Sequence, residues 1–472
     1  MTQTEQPLER TAVLGLIAMG LAVLVIANDF TALSVALPAI EQDFGASVTT
    51  VQWVINGYAL VFGVLIVSGG RLADMFGRRR IFFVGSAIFA VFSVAGGLAP
   101  DIWVLLASRA LMGVGGAMMW PAILGMTYAL LPKDRAGLAG GLILGAAGFG
   151  NAVGPLLGGV LTDALNWRWI FFLNLPIAAF AMFVTWRVVE DDVPTMPDKW
   201  IDYGGIATLS IGLFALLLAL DQGSGLGWID PWILSLFGAA VVALAVFVLV
   251  ERSAADRALV PHDVLGNRAF VAACLTTLLM SAIFFAALLY LPQFMSKMLG
   301  YSAVGAGAGL LPMMGTFAVT SFVAGPLYSR LGPKLIVSLG AALLAVGMFL
   351  LSAVHAATDY NDLILGMVVL GVGIGLFYSS ITTAAVTALD AARAGLAGGI
   401  VYMCQIAGGS IGLGLNTALV VTAPSLAEGI HTAFLVDAGL AVCGLIVAVV
   451  FVGGTVDRAR LRDLRWHHRA HG

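Results

Sequence analysis

Three ionisable side chains interrupt long apolar runs: Asp29, Arg109 and Asp437. A charge in such a setting is costly in lipid and by default marks an ion or substrate pathway. The chemistry open to it is proton exchange at a carboxylate, or charge pairing between helices. Asp29 stands about nine residues from the end of its run and Arg109 about seven from the end of another, roughly 13 and 10 Å of helix. Those similar depths allow the two to meet. Asp437 lies about six residues past His431. It is either a second proton or cation site, or a hydrogen-bonded group near the interface. Asp221, at the end of its own run, reads as solvated.

The elements that must position these groups are membrane spans. Of 472 residues 60% are hydrophobic and 10% charged, too few charges to cover a soluble surface of this size. Apolar runs long enough to cross a bilayer recur at about 12–37, 51–72, 80–99, 102–124, 137–161, 169–187, 203–220, 231–250, 268–291, 304–328, 335–355, 361–387, 395–419 and 431–453. The reading is an all-α polytopic membrane protein whose first span is retained rather than cleaved. The 58 glycines suit helices that pack backbone to backbone. A net charge of −3 gives no sign of nucleic-acid binding. Cys274, Cys404 and Cys443 all lie within apolar runs. They read as small core residues, and no Cys/His spacing suits a metal.

Basic residues favour the cytoplasmic face. With the N-terminus inside, the inner loops and tails collect Arg10, Arg71, Arg78, Arg79, Arg80, Lys133, Arg135, Arg187, Lys199, Arg252, Arg257, Arg268, Arg330, Lys334, Arg393 and the Arg458–Arg469 cluster. The outer loops hold Arg168 and Lys297. Both termini are therefore expected in the cytoplasm of a cell-membrane protein.

The segment Arg135-Ala-Gly-Leu-Ala-Gly-Gly141 returns unchanged as Arg393-Ala-Gly-Leu-Ala-Gly-Gly399. A fainter echo joins Gly70-Arg-Leu-Ala-Asp-Met-Phe-Gly77 to Gly325-Pro-Leu-Tyr-Ser-Arg-Leu-Gly332. The offsets, 258 and 255 residues, describe nearly one register. This implies parallel six-helix halves over 1–190 and 263–472, with two linker helices in 191–262.

Gly70 to Arg80 carries glycines for a tight turn, arginines for the inner face and Asp74, which can accept the unpaired N–H groups of a helix start. The segment, with Gly70, Asp74, Gly77, Arg78 and Arg79, resembles the signature loop of the major facilitator superfamily. Leu105 to Ala117, around Arg109 and Gly113, resembles that family's fourth-helix motif. Gly150-Asn-Ala-Val-Gly154-Pro155-Leu-Leu-Gly158-Gly159 resembles its fifth-helix antiporter motif. Asn28-Asp29-Phe-Thr31-Ala-Leu-Ser34-Val-Ala-Leu-Pro38 and Trp167 to Pro176 resemble the fourteen-helix drug:proton antiporter branch. Met75, Met112 and Ser34 depart from the residues usual there.

The resemblance implies a major facilitator fold of two pseudo-symmetric six-helix bundles, whose first and fourth helices line a central cavity. Asp29 is then the expected proton carrier and Arg109 its tuning partner. Burial favours the neutral acid and a neighbouring arginine the carboxylate, the balance that reversible proton uptake needs. Gly150, Gly154 and Gly158 make one flat helix face and Pro155 can bend it. That face is expected either to pack only or also to seal the cavity in one state. The expected cavity lining is Asn28, Trp53, Asn56, Trp120, Asn151, Phe284, Tyr290, Tyr378, Tyr402 and Gln405, aromatic and poor in fixed polar groups. It suits bulky amphipathic cations.

The expected activity is export of such compounds in exchange for protons by a protein that is no enzyme, binds no cofactor and acts as a monomer among lipids. No phosphate-cradling Gly-x-x-x-x-Gly-Lys-Ser/Thr loop supports ATP hydrolysis. A lipid or an endogenous secondary metabolite is the alternative cargo. Import runs against the fifth-helix motif. A membrane enzyme or receptor lacks a nucleophile–base or metal-ligand constellation.

Overall fold

The computed structural model describes residues 9–132, 135–190, 202–254, 258–355 and 357–452. Lys133, Lys199, Arg257 and the Arg458–Arg469 cluster lie outside the described residues.

The first six helices are α1 (Arg10–Phe44), α2 (Val48–Phe76), α3 (Arg78–Gly97), α4 (Ile102–Ala129), α5 (Ala136–Ala164) and α6 (Arg168–Val188). Two more follow, α7 (Tyr203–Leu226) and α8 (Pro231–Ala254). The rest of the chain forms α9 (His262–Gly266), α10 (Arg268–Lys297), α11 (Ala303–Ala308), α12 (Leu311–Leu331), α13 (Pro333–Ser352), α14 (Tyr360–Thr387), α15 (Ala394–Thr422) and α16 (Leu426–Phe451). Fourteen spans among the described residues are long and apolar enough to cross a membrane, α11 and α12 together forming one of them.

Local chemistry sets the helix ends. Asp101 accepts the N–H groups of Trp103 and Val104 at 2.9 Å and opens α4. Ser425 caps Glu428 to open α16. Gly77 turns α2 into α3 at φ 97°, a conformation open to glycine and strained for other residues. Several helices run past the bounds read in the sequence, among them α4 to Ala129, α7 to Leu226 and α10 to Lys297. Helix α1 runs through Pro38 to Phe44 rather than stopping at 37. The span expected over 304–328 is broken at Gly309 and Leu310, just before Pro312, which has no N–H to continue a ladder.

Packing repeats across the chain. In the first six helices α1 packs on α5 and α6, α2 on α4, and α3 on α4 and α6. The later helices repeat this: α10 on α15 and α16, α12 on α14, and α13 on α14 and α16. The repeat extends to single glycines. A Cβ on Gly115 of α4 would stand 2.7 Å from the Gly85 carbonyl oxygen of α3, and one on Gly373 of α14 would stand 3.1 Å from that of Gly340 of α13. Gly85 and Gly340 are 255 residues apart, Gly115 and Gly373 258.

Helix α7 lies on the seam where α2 meets α15, and α8 packs on α7 with most of its length exposed. The exposed Val241, Val242, Leu249 and Trp232 of α8 present an apolar face, as a helix bathed in lipid requires.

Candidate transport cavity and its closed end

The arginines Arg71, Arg78, Arg79, Arg80, Arg135, Arg187, Arg252 and Arg393 gather at one end of the helix array, by the alternation of the spans. At this basic end the two repeated glycine segments cross over. Gly70 of α2 meets Gly395 of α15 so closely that a Cβ would stand 2.9 Å from the Gly395 carbonyl carbon. Gly325 of α12 meets Gly137 of α5 in the same way, with a Cβ 2.9 Å from the Gly137 carbonyl carbon. Each copy of Arg-Ala-Gly-Leu-Ala-Gly-Gly thus starts a helix that seats on the opposite half.

Asp74 fastens the first of these contacts. Its carboxylate accepts the Gly395 N–H at 3.2 Å and the Leu396 N–H at 2.8 Å, in the first turn of α15. Those N–H groups have no partner within their own helix, and the helix dipole favours the negative charge. Arg78 donates from Nε to Asp74 at 3.2 Å, from Nη1 to the Gly125 carbonyl at 3.1 Å and from Nη2 to the Ala391 carbonyl. One side chain therefore ties α2, α4 and the turn before α15. Arg79 reaches sideways instead, to the Trp186 carbonyl at 2.9 Å. Ser329 stands where the echo places the counterpart of Asp74, so the second contact carries no carboxylate.

Beyond the closed end lies a cavity of about 330 Å³ between the halves. Trp53, Asn56, Trp120, Asn151, Phe284, Tyr378, Tyr402 and Gln405 all line it. Trp120 and Tyr402 come from opposite halves, with ring centroids 4.4 Å apart, and Phe62 packs edge-on to both. Phe284 meets Tyr378 and Phe317 on the other wall. A second recess, of about 530 Å³, shares Thr31, Ile55, Asn151, Phe285, Leu288 and Leu413 with the first and extends past Pro155 to Lys297. The two form one passage leading away from the basic end.

Two expected lining residues are elsewhere. Asn28 is 2% exposed and lies where α1 presses on Gly150 of α5. Tyr290 is also buried, its hydroxyl 2.7 Å from that of Thr417 between α10 and α15. Both sit on the correct helices but on faces turned into their own half.

Asp29 and Arg109 meet, and neither side chain is reached by solvent. Arg109 donates from Nη1 to Asp29 Oδ2 and from Nε to the Val54 carbonyl at 2.6 Å. Its guanidinium lies over Tyr58, 4.4 Å from the ring centroid. Asn174 of α6 donates to Asp29 Oδ1 at 3.1 Å and to Ser93 of α3 at 3.2 Å, and Ser93 donates to the Phe171 carbonyl at 2.8 Å. The pair is thus enclosed by α1, α2, α3, α4 and α6, and does not line the cavity. Asp29 stands 15 residues from the end of its helix (44 − 29) rather than about nine, because α1 continues to Phe44.

The glycines of α5 make two faces where the sequence showed one. Gly150, Gly154 and Gly158 press on α1 within one half, where a Cβ on Gly154 would stand 3.1 Å from the Ala32 nitrogen. Gly159 faces Val304 and Val35 more loosely. Gly137, Gly141 and Gly148 press on α12 of the other half. Between-half closure therefore uses the second face.

Asp437 is fully buried in α16 rather than near an interface, about 16 Å along the helix from Leu426. Asn416 of α15 donates to its Oδ2 at 2.9 Å. Among the described residues it has no cationic partner. Asp221 is exposed, as read from the sequence, but it is not a helix end, since α7 continues to Leu226. It is among the residues that line the cavity, and Asn56 donates to it at 2.8 Å. Apolar periodicity gave no hint of this, because α7 is apolar on all sides. Among the described residues no group of His, Cys, Asp and Glu could hold a metal ion.

Known proteins share this architecture. The Major Facilitator Superfamily model matches residues 19–413 and 275–466. The puromycin resistance protein of Streptomyces alboniger is 35% identical over 451 residues, covering 94% of this chain and 88% of its own. The tetracenomycin C resistance and export protein of Streptomyces glaucescens is 34% identical over 397 residues, covering 84% and 74%. The crystal structure of the human organic anion transporter MFSD10 matches 94% of this chain and 100% of its own with a TM-score of 0.67 at 16% identity, a likeness of fold. By sequence, fold and signature loop alike, this chain belongs to the Major Facilitator Superfamily.

Proposed function

We propose that this protein is a secondary active exporter that moves amphipathic drug-like molecules, organic cations among them, out of the cell in exchange for protons. The observation that carries this reading is the aromatic cavity between the halves, closed at the basic end and continuous with a passage toward the other. The resistance proteins among its relatives support export as the direction and drug-like compounds as the cargo. The basic end then faces the cytoplasm of the cell membrane, with both termini inside.

In this reading Asp29 is the proton carrier. Protonation removes its charge and releases Arg109, which also holds the carbonyl of Val54. Val54 lies between the cavity residues Trp53 and Ile55, so a change at the pair reaches the cavity wall through α2. Reopening at the basic end requires the Asp74 contacts with α15 to part.

The test is uptake of ethidium into everted membrane vesicles under an imposed pH gradient. Gradient-driven accumulation by the wild type, abolished in Asp29→Asn with normal membrane insertion, is the expected result. Undiminished pH-driven uptake by that variant removes Asp29 from the coupling. A natural secondary metabolite is the alternative cargo, favoured by the two Streptomyces relatives, which are resistance proteins for tetracenomycin C and puromycin. Puromycin exported in preference to ethidium selects it.

A further inference from the structure

The cavity holds a charge that the coupling pair does not supply. Asp29 is neutralised by Arg109 and enclosed, and Asp437 is buried behind the cavity between α15 and α16. Among the described residues that line the cavity, Asp221 is the one charged side chain. It comes from α7, a helix outside the two repeated sets of six.

Three features make Asp221 part of a built site. Helix α7 continues five residues past it, to Leu226, so the carboxylate is not at the helix end. The following loop folds back: a Cβ on Gly223 of α7 would overlap the Trp228 ring, and one on Gly414 of α15 would stand 2.9 Å from it. Trp228 thereby wedges α7 against the second half. Asn56 of α2 donates to Asp221 Oδ1 at 2.8 Å and fixes the carboxylate against the seam. Trp53 lies one turn before Asn56 on the same face of α2 and also lines the cavity.

No ion pair involves Asp221 among the described residues. The carboxylate is solvent-accessible and Asn56 is its one hydrogen-bond partner there. A negative charge beside aromatic faces, with no cation of its own, matches a monovalent organic cation that brings charge and apolar bulk together. A cation entering this cavity without Asp221 meets aromatic rings and neutral amides but no countercharge, and its desolvation is left uncompensated.

We propose that the linker helix α7 supplies the anionic subsite of the transport cavity, with Asp221, held by Asn56, binding the charge of protonated amines and quaternary or phosphonium cations. This rests on the export reading above and assigns α7 a role in cargo selection. Neutral cargo uses the aromatic wall alone, so Asp221 sets preference between cations and neutral compounds rather than transport itself.

The experiment reconstitutes the wild type, Asp221→Asn and Asp221→Glu in proteoliposomes. It compares export of tetraphenylphosphonium with export of the neutral dye Nile red under the same pH gradient, and measures tetraphenylphosphonium binding to the purified proteins. The expected result is a fall of about tenfold or more in the cation-to-neutral ratio and in cation affinity for Asp221→Asn, with recovery in Asp221→Glu. An unchanged ratio in a folded Asp221→Asn protein overturns the proposal, as does an equal loss of both probes. If the wild type transports neither probe, the export reading fails, while Asp221-dependent binding still decides the subsite. If Asp221→Asn does not fold, Asn56→Ala takes its place: the same direction of change supports the subsite and an unchanged ratio overturns it.

Discussion

Asp74 of α2 accepts the backbone N–H of Leu396 at 2.8 Å, joining the end of one helix to the first turn of another 322 residues away in sequence. The contact is charge-assisted, and the Gly395 N–H and the Arg78 guanidinium share the same carboxylate. Its pseudo-symmetric counterpart, where α5 seats on α12, has Ser329 in place of the carboxylate. The carboxylate latch at the basic end thus belongs to the α2–α15 side. Asp74→Asn keeps the volume but loses the charge, and each charge-assisted bond contributes about 1.5–3 kcal/mol. The expected outcome is faster thiol labelling of a cysteine placed at Ala391, with transport reduced about tenfold or more and helix content unchanged. Ser329→Ala is expected to change labelling little. Equal labelling in wild type and Asp74→Asn contradicts the latch.

The Asp29–Arg109 pair makes a separate prediction about folding. Breaking a buried pair by removing one partner costs about 3–5 kcal/mol, because the other charge is left uncompensated, whereas replacing both with apolar residues is often neutral. The repeat suggests the replacement. Gly113 of α4 packs on Tyr58 and Gly371 of α14 on Met313, offsets of 258 and 255 residues, so Met367 is the counterpart of Arg109. Gly154 of α5 packs on Thr31 and Gly412 of α15 on Ala282, so Met280 is the counterpart of Asp29. Both methionines are fully buried. Arg109→Met alone is expected to lower the thermal midpoint sharply. Asp29→Met with Arg109→Met is expected to recover much of that loss while pH-driven export stays absent. Differential scanning fluorimetry and vesicle uptake on the same preparations check both halves of the statement. A double variant less stable than the single one contradicts it.

The order of legibility follows from which physical signals are periodic. Hydropathy is a property of each span, so all fourteen were readable. The identical heptapeptides at Arg135 and Arg393 gave the repeat because they must fit matching backbone contacts at Gly70 and Gly325. Asp74, beside a glycine turn at a helix end, accepts the first-turn N–H groups of α15, a pairing its position in the sequence suggests. Lining was harder. Asn28 and Asp29 are adjacent in sequence, and both turn into the bundle rather than the cavity; rotation about a helix axis has little trace in a run that is apolar on every side. The cavity-facing position of Asp221 leaves as little trace, with the added difficulty that α7 belongs to neither repeat. Its position on the α2–α15 seam is a tertiary fact.

The two glycine faces of α5 separate folding from transport. Gly154 presses on Thr31 and Ala32 of α1 inside one half, where a larger side chain has nowhere to go and overpacking costs about 1–3 kcal/mol. Gly154→Val is expected to reduce the yield of folded protein and to lower its thermal midpoint. Gly141 presses on Ser321 of α12 across the halves, at a contact that must open during transport. Gly141→Val is expected to leave each half folded but to shift the protein away from closure at the basic end. Yield and midpoint near wild type, with export reduced about tenfold or more, is the result to look for. Similar loss of folded protein in both variants removes the distinction.

Asp437 tests whether a buried carboxyl must be a functional charge. Asn416 donates to one of its oxygens at 2.9 Å, and its other oxygen has no partner among the described residues. With no cation beside it, the group has only the Asn416 amide to support a charge, unlike Asp29 beside Arg109. An amide of the same shape can keep the hydrogen bond by presenting its oxygen to Asn416. Asp437→Asn is therefore expected to change stability by no more than about 1 kcal/mol, the worth of one neutral hydrogen bond. Asp437→Leu orphans the Asn416 amide and costs about 1–3 kcal/mol. Thermal unfolding of the two variants gives the order, and ethidium export at two pH gradients gives the function. Near-normal gradient dependence in Asp437→Asn assigns the residue to the packing of α16 on α15. Loss of that dependence in a stable Asp437→Asn protein assigns it instead to a second proton site, reached from the α10–α15 side where Tyr290 and Thr417 meet.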